Sequence, residues 1–140
     1  MAERFVLDTS AWLALDEKEP GADEVEALLA KAWLGEVELH GCFVTLAELE
    51  YIRTQEQDAA QAAELLEFAR SQPGTWHHSD DALCSAAAKL KAAQKLSFAD
   101  SFIAALAQRL DAPLIHKDPE MEALGTLIKQ RMLPPKAPKS

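Results

Sequence analysis

Little in this chain suits covalent catalysis or a bulk electrostatic grip on polyanions. Its two cysteines, Cys42 and Cys84, form neither a CxxC pair nor a disulfide framework. Both read as small buried residues in a reduced compartment, which points to the cytoplasm. Basic residues are scarce: 14 Lys and Arg stand against 23 Asp and Glu, a formal charge of −9. That balance excludes a non-specific nucleic-acid coat, which would be basic. It leaves room for an enzyme acting on nucleic acid, because bound cations reverse the local sign. No apolar run approaches the roughly 18 residues of a membrane helix; the stretch from Ala99 to Ala107 is broken by Asp100 and Ser101. The opening Met1-Ala2-Glu3-Arg4 lacks the apolar block of a secretion signal. There is no GxGxxG, no Walker loop, no nucleophile elbow and no Ser/His/Asp order.

What is present is a regular alternation of short apolar runs and longer helical patterns. Strands are expected at 4–7, 41–44, 75–78, 113–116 and 126–132. Helices are expected from Thr9 to the Pro20-Gly21 break, then over 22–34, 45–54, 57–71, 80–95, 97–110 and 119–124. Strands alternating with helices imply an α/β fold, a parallel sheet covered by helices on both faces. With 49% hydrophobic residues, 140 residues suffice for one core and not for two ordinary domains. Residues 1–133 are therefore expected to form the domain, and the Pro/Lys-rich segment 134–140 a solvated, flexible tail.

Four carboxylates fall where a strand or loop hands over to a helix. Asp8 ends Phe5-Val6-Leu7, Glu48 follows Cys42-Phe43-Val44, Asp100 opens the 97–110 helix, and Asp118 follows Pro113-Leu114-Ile115-His116. In an open parallel sheet those handovers lie along one edge, the edge where ligands bind. Convergence there would create an oxygen-only pocket of about four negative charges, tenable only with bound cations or raised pKa values. Oxygen donors without His or Cys select Mg²⁺ or Mn²⁺, one or two ions, over zinc. Such a site suits metal-assisted phosphodiester hydrolysis, which needs no nucleophilic Ser or Cys.

Each acid also has a structural explanation. Thr45-x-x-Glu48 and Ser97-x-x-Asp100 match capping boxes, Asp118-Pro119 matches a helix N-cap with proline following, and Asp8 can cap the first helix. Ser10 is either a cap or a hydroxyl supporting a metal-bound water. Arg53, after Glu48, and Lys95, before Ser97, are accessory candidates for holding a phosphate backbone, against the alternative of a solvated helix face. His77 and His78 are adjacent and would point to opposite faces of a strand, which disfavours a shared metal. His116 reads as a structural or cleft-edge residue. Trp12, Trp33 and the Phe98/Phe102 row read as core.

The ordered motifs Phe5-Val6-Leu7-Asp8-Thr9-Ser10, Val44-Thr45-Leu46-Ala47-Glu48-Leu49, Leu96-Ser97-Phe98-Ala99-Asp100-Ser101-Phe102-Ile103 and Leu114-Ile115-His116-Lys117-Asp118-Pro119 resemble those of the PIN domain family, in particular VapC-like ribonuclease toxins. The likeness extends over nearly the whole chain. It implies a Mg²⁺- or Mn²⁺-dependent endoribonuclease, the toxin of a type II toxin–antitoxin pair. The expected partners are RNA, a small antitoxin with a basic C-terminal segment, and a second copy in a homodimer, with no membrane. It further implies that Asp8, Asp100 and Asp118 hold the principal ion while Glu48 holds a metal or orients water. Some family members carry a further acid where this chain has Ile103, and a Thr, Ser or Asn where it has His116. Three alternatives stay open: a PIN nuclease of RNA processing without an antitoxin, a phosphoacceptor signalling domain, and a metal-free binding module whose acids only cap helices. The signalling design wants adjacent acids after the first strand, and Asp8 has no acidic neighbour.

Overall fold

The computed structural model describes residues 2–136. Five strands form one sheet in the order β3-β2-β1-β4-β5: β1 Glu3–Leu7, β2 Val37–Cys42, β3 Thr75–His77, β4 Leu114–His116 and β5 Gln130–Met132. Every pairing is parallel. Among the described residues seven α-helices surround the sheet: α1 Thr9–Asp16, α2 Ala22–Trp33, α3 Phe43–Glu56, α4 Ala59–Ser71, α5 Asp81–Ala93, α6 Phe98–Leu110 and α7 Pro119–Glu122. The single α/β domain expected from the alternating pattern is what forms.

The pleat divides the core. Val6 and Leu114 point to the face packed by α5 and α6, while Phe5, Leu7 and Ile115 point to the face packed by α1, α2 and α4. Burying a side chain such as Leu114, fully enclosed, contributes about 1.5–3 kcal/mol. β1 therefore presents both faces to apolar layers, the arrangement parallel sheets require. It is also the switch strand: the chain moves from β1 to β2 on one side, and β4 docks on the other. The crevice beyond the carboxyl ends of β1 and β4 is where such sheets bind ligands.

Several boundaries differ from expectation. The second strand is Val37–Cys42, not 41–44, because Glu3 to Val6 pair in register with Val37 to His40. Its Val-Glu-Leu-His alternation is a period-2 signal interrupted by polar residues on one face. Phe43 and Val44 belong to α3 instead, which has Cys42 as its N-cap. The tail is not wholly solvated. Lys136 Nζ lies 2.8 Å from Glu19 Oε2, and Leu133 and Pro134 pack so closely on Gly21 (φ +98°) that a Cβ there would meet Leu133 at 2.9 Å. The remainder of the tail, 137–140, lies outside the described residues. Trp12 is core, at 5% exposure, but Trp33 and Phe98 are 64% and 69% exposed. They are the last residue of α2 and the first of α6.

Candidate metal centre

Asp8 stands at the end of β1 with its amide donating to Ile115 O at 3.0 Å, so the β1–β4 pairing fixes its backbone. It is the N-cap of α1: Oδ2 accepts from the Ser10 amide at 3.1 Å and from the Ser10 hydroxyl. Ser10 Oγ in turn accepts from the Lys117 amide at 2.9 Å, tying the β4–α7 loop to the start of α1. Oδ1 of Asp8 is buried and has no hydrogen-bond partner among the described residues. A buried carboxylate oxygen left in that state costs stability unless a proton or a cation meets it. Burial accordingly raises the Asp8 pKa, against the lowering effect of the Ser10 bonds.

Glu48 arrives from α3. Its Oε1 accepts from Thr9 Oγ1 at 2.7 Å, and Thr9 Oγ1 lies 3.0 Å from Thr45 Oγ1. A Thr hydroxyl has one hydrogen, so with Thr9 donating to Glu48 the buried Thr45 must donate to Thr9. Thr45 is thus no capping residue: it sits inside α3 and relays a hydrogen bond to the carboxylate. Glu48 titrates high, chiefly from burial and then from the charges of Asp8 and Asp118.

Asp100 lies in the first turn of α6, where Ser97 is the N-cap and accepts from the Asp100 amide at 3.1 Å. Asp118 caps α7 and accepts from the Glu120 amide at 2.9 Å. Its own amide donates to His116 Nδ1 at 3.0 Å, while His116 Nε2 meets Gln130 Oε1 at 2.7 Å. Those partners assign a neutral His116 protonated on Nε2, a buried bracket that orients the Asp118 loop. Burial, then the charges of Asp8 and Asp118, push the Asp100 pKa up to about 7. Four acids far apart in sequence therefore act on one another electrostatically at one edge of the sheet. Caps and convergence are not rival explanations here, because Asp8 and Asp118 do both.

Glu120 was not singled out from the sequence. One carboxylate oxygen from each of Asp100, Asp118 and Glu120 lies within 4.8 Å of the other two. Residues two apart do not share a helix face, which hides Glu120 from a helical reading. Asp118 precedes the helix with extended backbone (φ −108°, ψ 114°), so the spacing rule does not hold for that pair.

The donor set fits a hard divalent cation: only carboxylate oxygens, no thiolate, one buried oxygen without a partner. Cys42 is buried as expected and offers no nucleophile, since burial pushes its thiol up to about 11; Cys84, expected to be buried, is exposed on α5. Of the accessory candidates, Lys95 is exposed in the connection before α6. Arg53 must be reassigned. It is 6% exposed, bonded to Asp16 and Glu17 with Glu56 Oε2 at 4.0 Å, so three carboxylates already neutralise it inside the domain. His77 bonds His40 across β3 and β2 at 2.8 Å, and His78 is exposed.

The chain belongs to the PIN domain family, whose model matches residues 5–127. Its fold is that of the VapC toxins. VapBC2 from Rickettsia felis, solved with a promoter DNA fragment, is similar over 94% of this chain and 99% of that one, with TM-score 0.74 and 15% identity. DNA-bound VapBC from Salmonella typhimurium gives 0.72 and 17% identity, over 94% of this chain and 98% of that one. VapC20 from Mycobacterium tuberculosis, described as a sarcin-ricin loop cleaving toxin, gives 0.69 and 17%, over 86% and 95%. No curated protein matches the sequence significantly.

Proposed function

We propose that this protein is a Mg²⁺- or Mn²⁺-dependent endoribonuclease and the toxin of a toxin–antitoxin pair, acting in the cytoplasm. The observation that carries the reading is the unpartnered, buried Oδ1 of Asp8, with Asp118 at the other strand-to-helix handover, Asp100 in the first turn of α6 and Glu48 within α3 acting on the same edge. Membership of the PIN family and a fold shared with VapC toxins support it.

In this reading Asp8, Asp100 and Asp118 would hold the ion, and Glu48 would either add a ligand or orient the attacking water. A bound divalent cation supplies Lewis acidity and makes a coordinated water a nucleophile near neutral pH. The protein contributes position. Ser10 engages one Asp8 oxygen, Oδ2, and leaves Oδ1 without a partner among the described residues. Thr9 holds one oxygen of Glu48, and His116 sets the Asp118 loop. Asp100 has to be deprotonated to act as a ligand, so activity should rise with pH near 7.

A basic segment of an antitoxin would be drawn to this anionic cleft. The solved VapBC complexes support that partner, and a homodimer is proposed with it. The decisive assay is cleavage of end-labelled RNA with Mg²⁺ or Mn²⁺, with and without chelator. Asp8→Asn and Asp100→Asn should each abolish cleavage while the fold remains. Metal-independent cleavage, or full activity in both variants, would overturn the nuclease reading. Growth arrest on expression, relieved by a neighbouring gene product, would separate a toxin from an RNA-processing nuclease.

A further inference from the structure

α6 opens on a phenylalanine that the fold holds without enclosing. Phe98 is its first residue, two before Asp100, and is 69% exposed. Exposure of one aromatic side chain carries little by itself; its support and its position carry more. Phe98 and Phe102 meet edge to face, with ring centroids 5.2 Å apart and planes at 75°. Phe102 is buried and meets Phe43 of α3 in the same manner, at 5.3 Å and 77°. The three rings run from the core to the rim, so the outermost is fixed from behind and open to water. Phe43 is the first residue of α3 and follows Cys42, whose thiol feels the charges of Glu48 and Asp8. The aromatic row therefore ends beside the acids.

At about 100° per residue, side chains two apart leave a helix on nearly opposite sides. Asp100 faces Asp118 and Glu120, whereas Phe98 lies on the side of α6 that reaches α3 through Phe102. A strand crossing the N-terminal end of α6 would meet the acids on one side and the ring on the other. Two of the cations that could grip its phosphates are already committed to the fold. Arg53 is enclosed by carboxylates, and Lys117 Nζ binds Pro20 O at 2.8 Å with Glu19 Oε1 at 3.5 Å. Lys95 is exposed three residues before Phe98. A chain of net charge −9 gains affinity for RNA by stacking, which every base permits because every base has a π face. Only a base free of its pairing partner can be splayed onto the ring.

We propose that Phe98 is a stacking platform for one unpaired base of the RNA, beside the phosphate at the acid edge, which makes single-stranded RNA the substrate class. The inference rests on the nuclease reading above, and the test separates the two.

The full chain is assayed for steady-state cleavage of a single-stranded oligoribonucleotide with Mn²⁺. Removing an aromatic platform typically costs about 5- to 150-fold in affinity. Phe98→Ala should therefore raise KM at least fivefold, with kcat within twofold of wild type. Phe98→Tyr, which keeps the ring, should match wild type; Phe98→Leu, apolar without a π face, should behave as Phe98→Ala. An abasic nucleotide walked along the substrate should raise KM for wild type at one position beside the cut. At that position Phe98→Ala should be indifferent, the non-additivity expected of two groups in contact. A wild-type KM in Phe98→Ala or Phe98→Leu would overturn the platform. So would abasic substitutions that cost both proteins equally at every position. Weakened self-association of Phe98→Ala in sedimentation, with KM unchanged, would assign the ring to a second copy instead. Wild type that cleaves no RNA with Mn²⁺ would end the nuclease reading, and the platform with it.

Discussion

Thr9 donates to Glu48 Oε1 at 2.7 Å across 39 residues of sequence, and the buried Thr45 hydroxyl completes the chain behind it. The relay fixes a site carboxylate from inside the fold. Removing the Thr45 hydroxyl as Thr45→Val keeps the volume and deletes the donor to Thr9. Loss of an outer-shell hydrogen bond typically costs about 10–100-fold in metal affinity or activity. The variant should therefore show kcat reduced by roughly tenfold or more with KM for RNA little changed. Circular dichroism should stay native. A variant as active as wild type would remove Thr45 from the positioning role.

The raised carboxylates make the metal-free protein sensitive to pH. A carboxyl group whose pKa is higher in the folded state stabilises the fold while protonated and loses that contribution as pH rises through its folded value. Asp100 moves from an ordinary 3.8 to about 7. Asp8 and Glu48 shift in the same direction, mainly from burial. With chelator present, the melting temperature should fall as pH rises from about 4 to about 8. Mn²⁺ should reverse the fall at the alkaline end, because a ligand of the folded state stabilises it by mass action. Melting scans across that range with and without Mn²⁺ check both signs. An unchanged apo melting temperature would mean that these carboxyl groups are not raised in the folded state.

Arg53 is a structural cation. Its guanidinium joins the C-terminal end of α1, through Asp16 and Glu17, to α3. Cutting one side of a buried pair costs about 3–5 kcal/mol. Because Asp16 and Glu17 side chains are 31% and 34% exposed, solvent screens part of that, and Arg53→Met should cost about 1–3 kcal/mol. Denaturant melts measure the loss. KM for RNA should hardly move, whereas a large rise in KM at unchanged stability would return Arg53 to the substrate.

The alternation of apolar strands and helices, and the acids at the handovers, were legible because both are local signals. Asp8 after Phe5-Val6-Leu7 and Asp118 after Leu114-Ile115-His116 needed no knowledge of contacts. The second strand was displaced because Glu38 and His40 break its apolar run, and only pairing with β1 fixes its extent. Thr45 looked like a cap until the helix was seen to begin at Phe43. Arg53 looked available because sequence does not reveal that Asp16 and Glu17 meet it from another helix. Glu120 escaped because its closeness to Asp118 depends on the extended backbone of a cap residue.

The most direct measurement is anomalous scattering from crystals soaked in Mn²⁺. A strong peak is expected about 2.1 Å from carboxylate oxygens of Asp8, Asp100 and Asp118, lost in Asp8→Asn crystals. A peak confined to other surfaces, or its absence at millimolar Mn²⁺ with those carboxylates ionised, would contradict a metal-dependent site at this edge of the sheet.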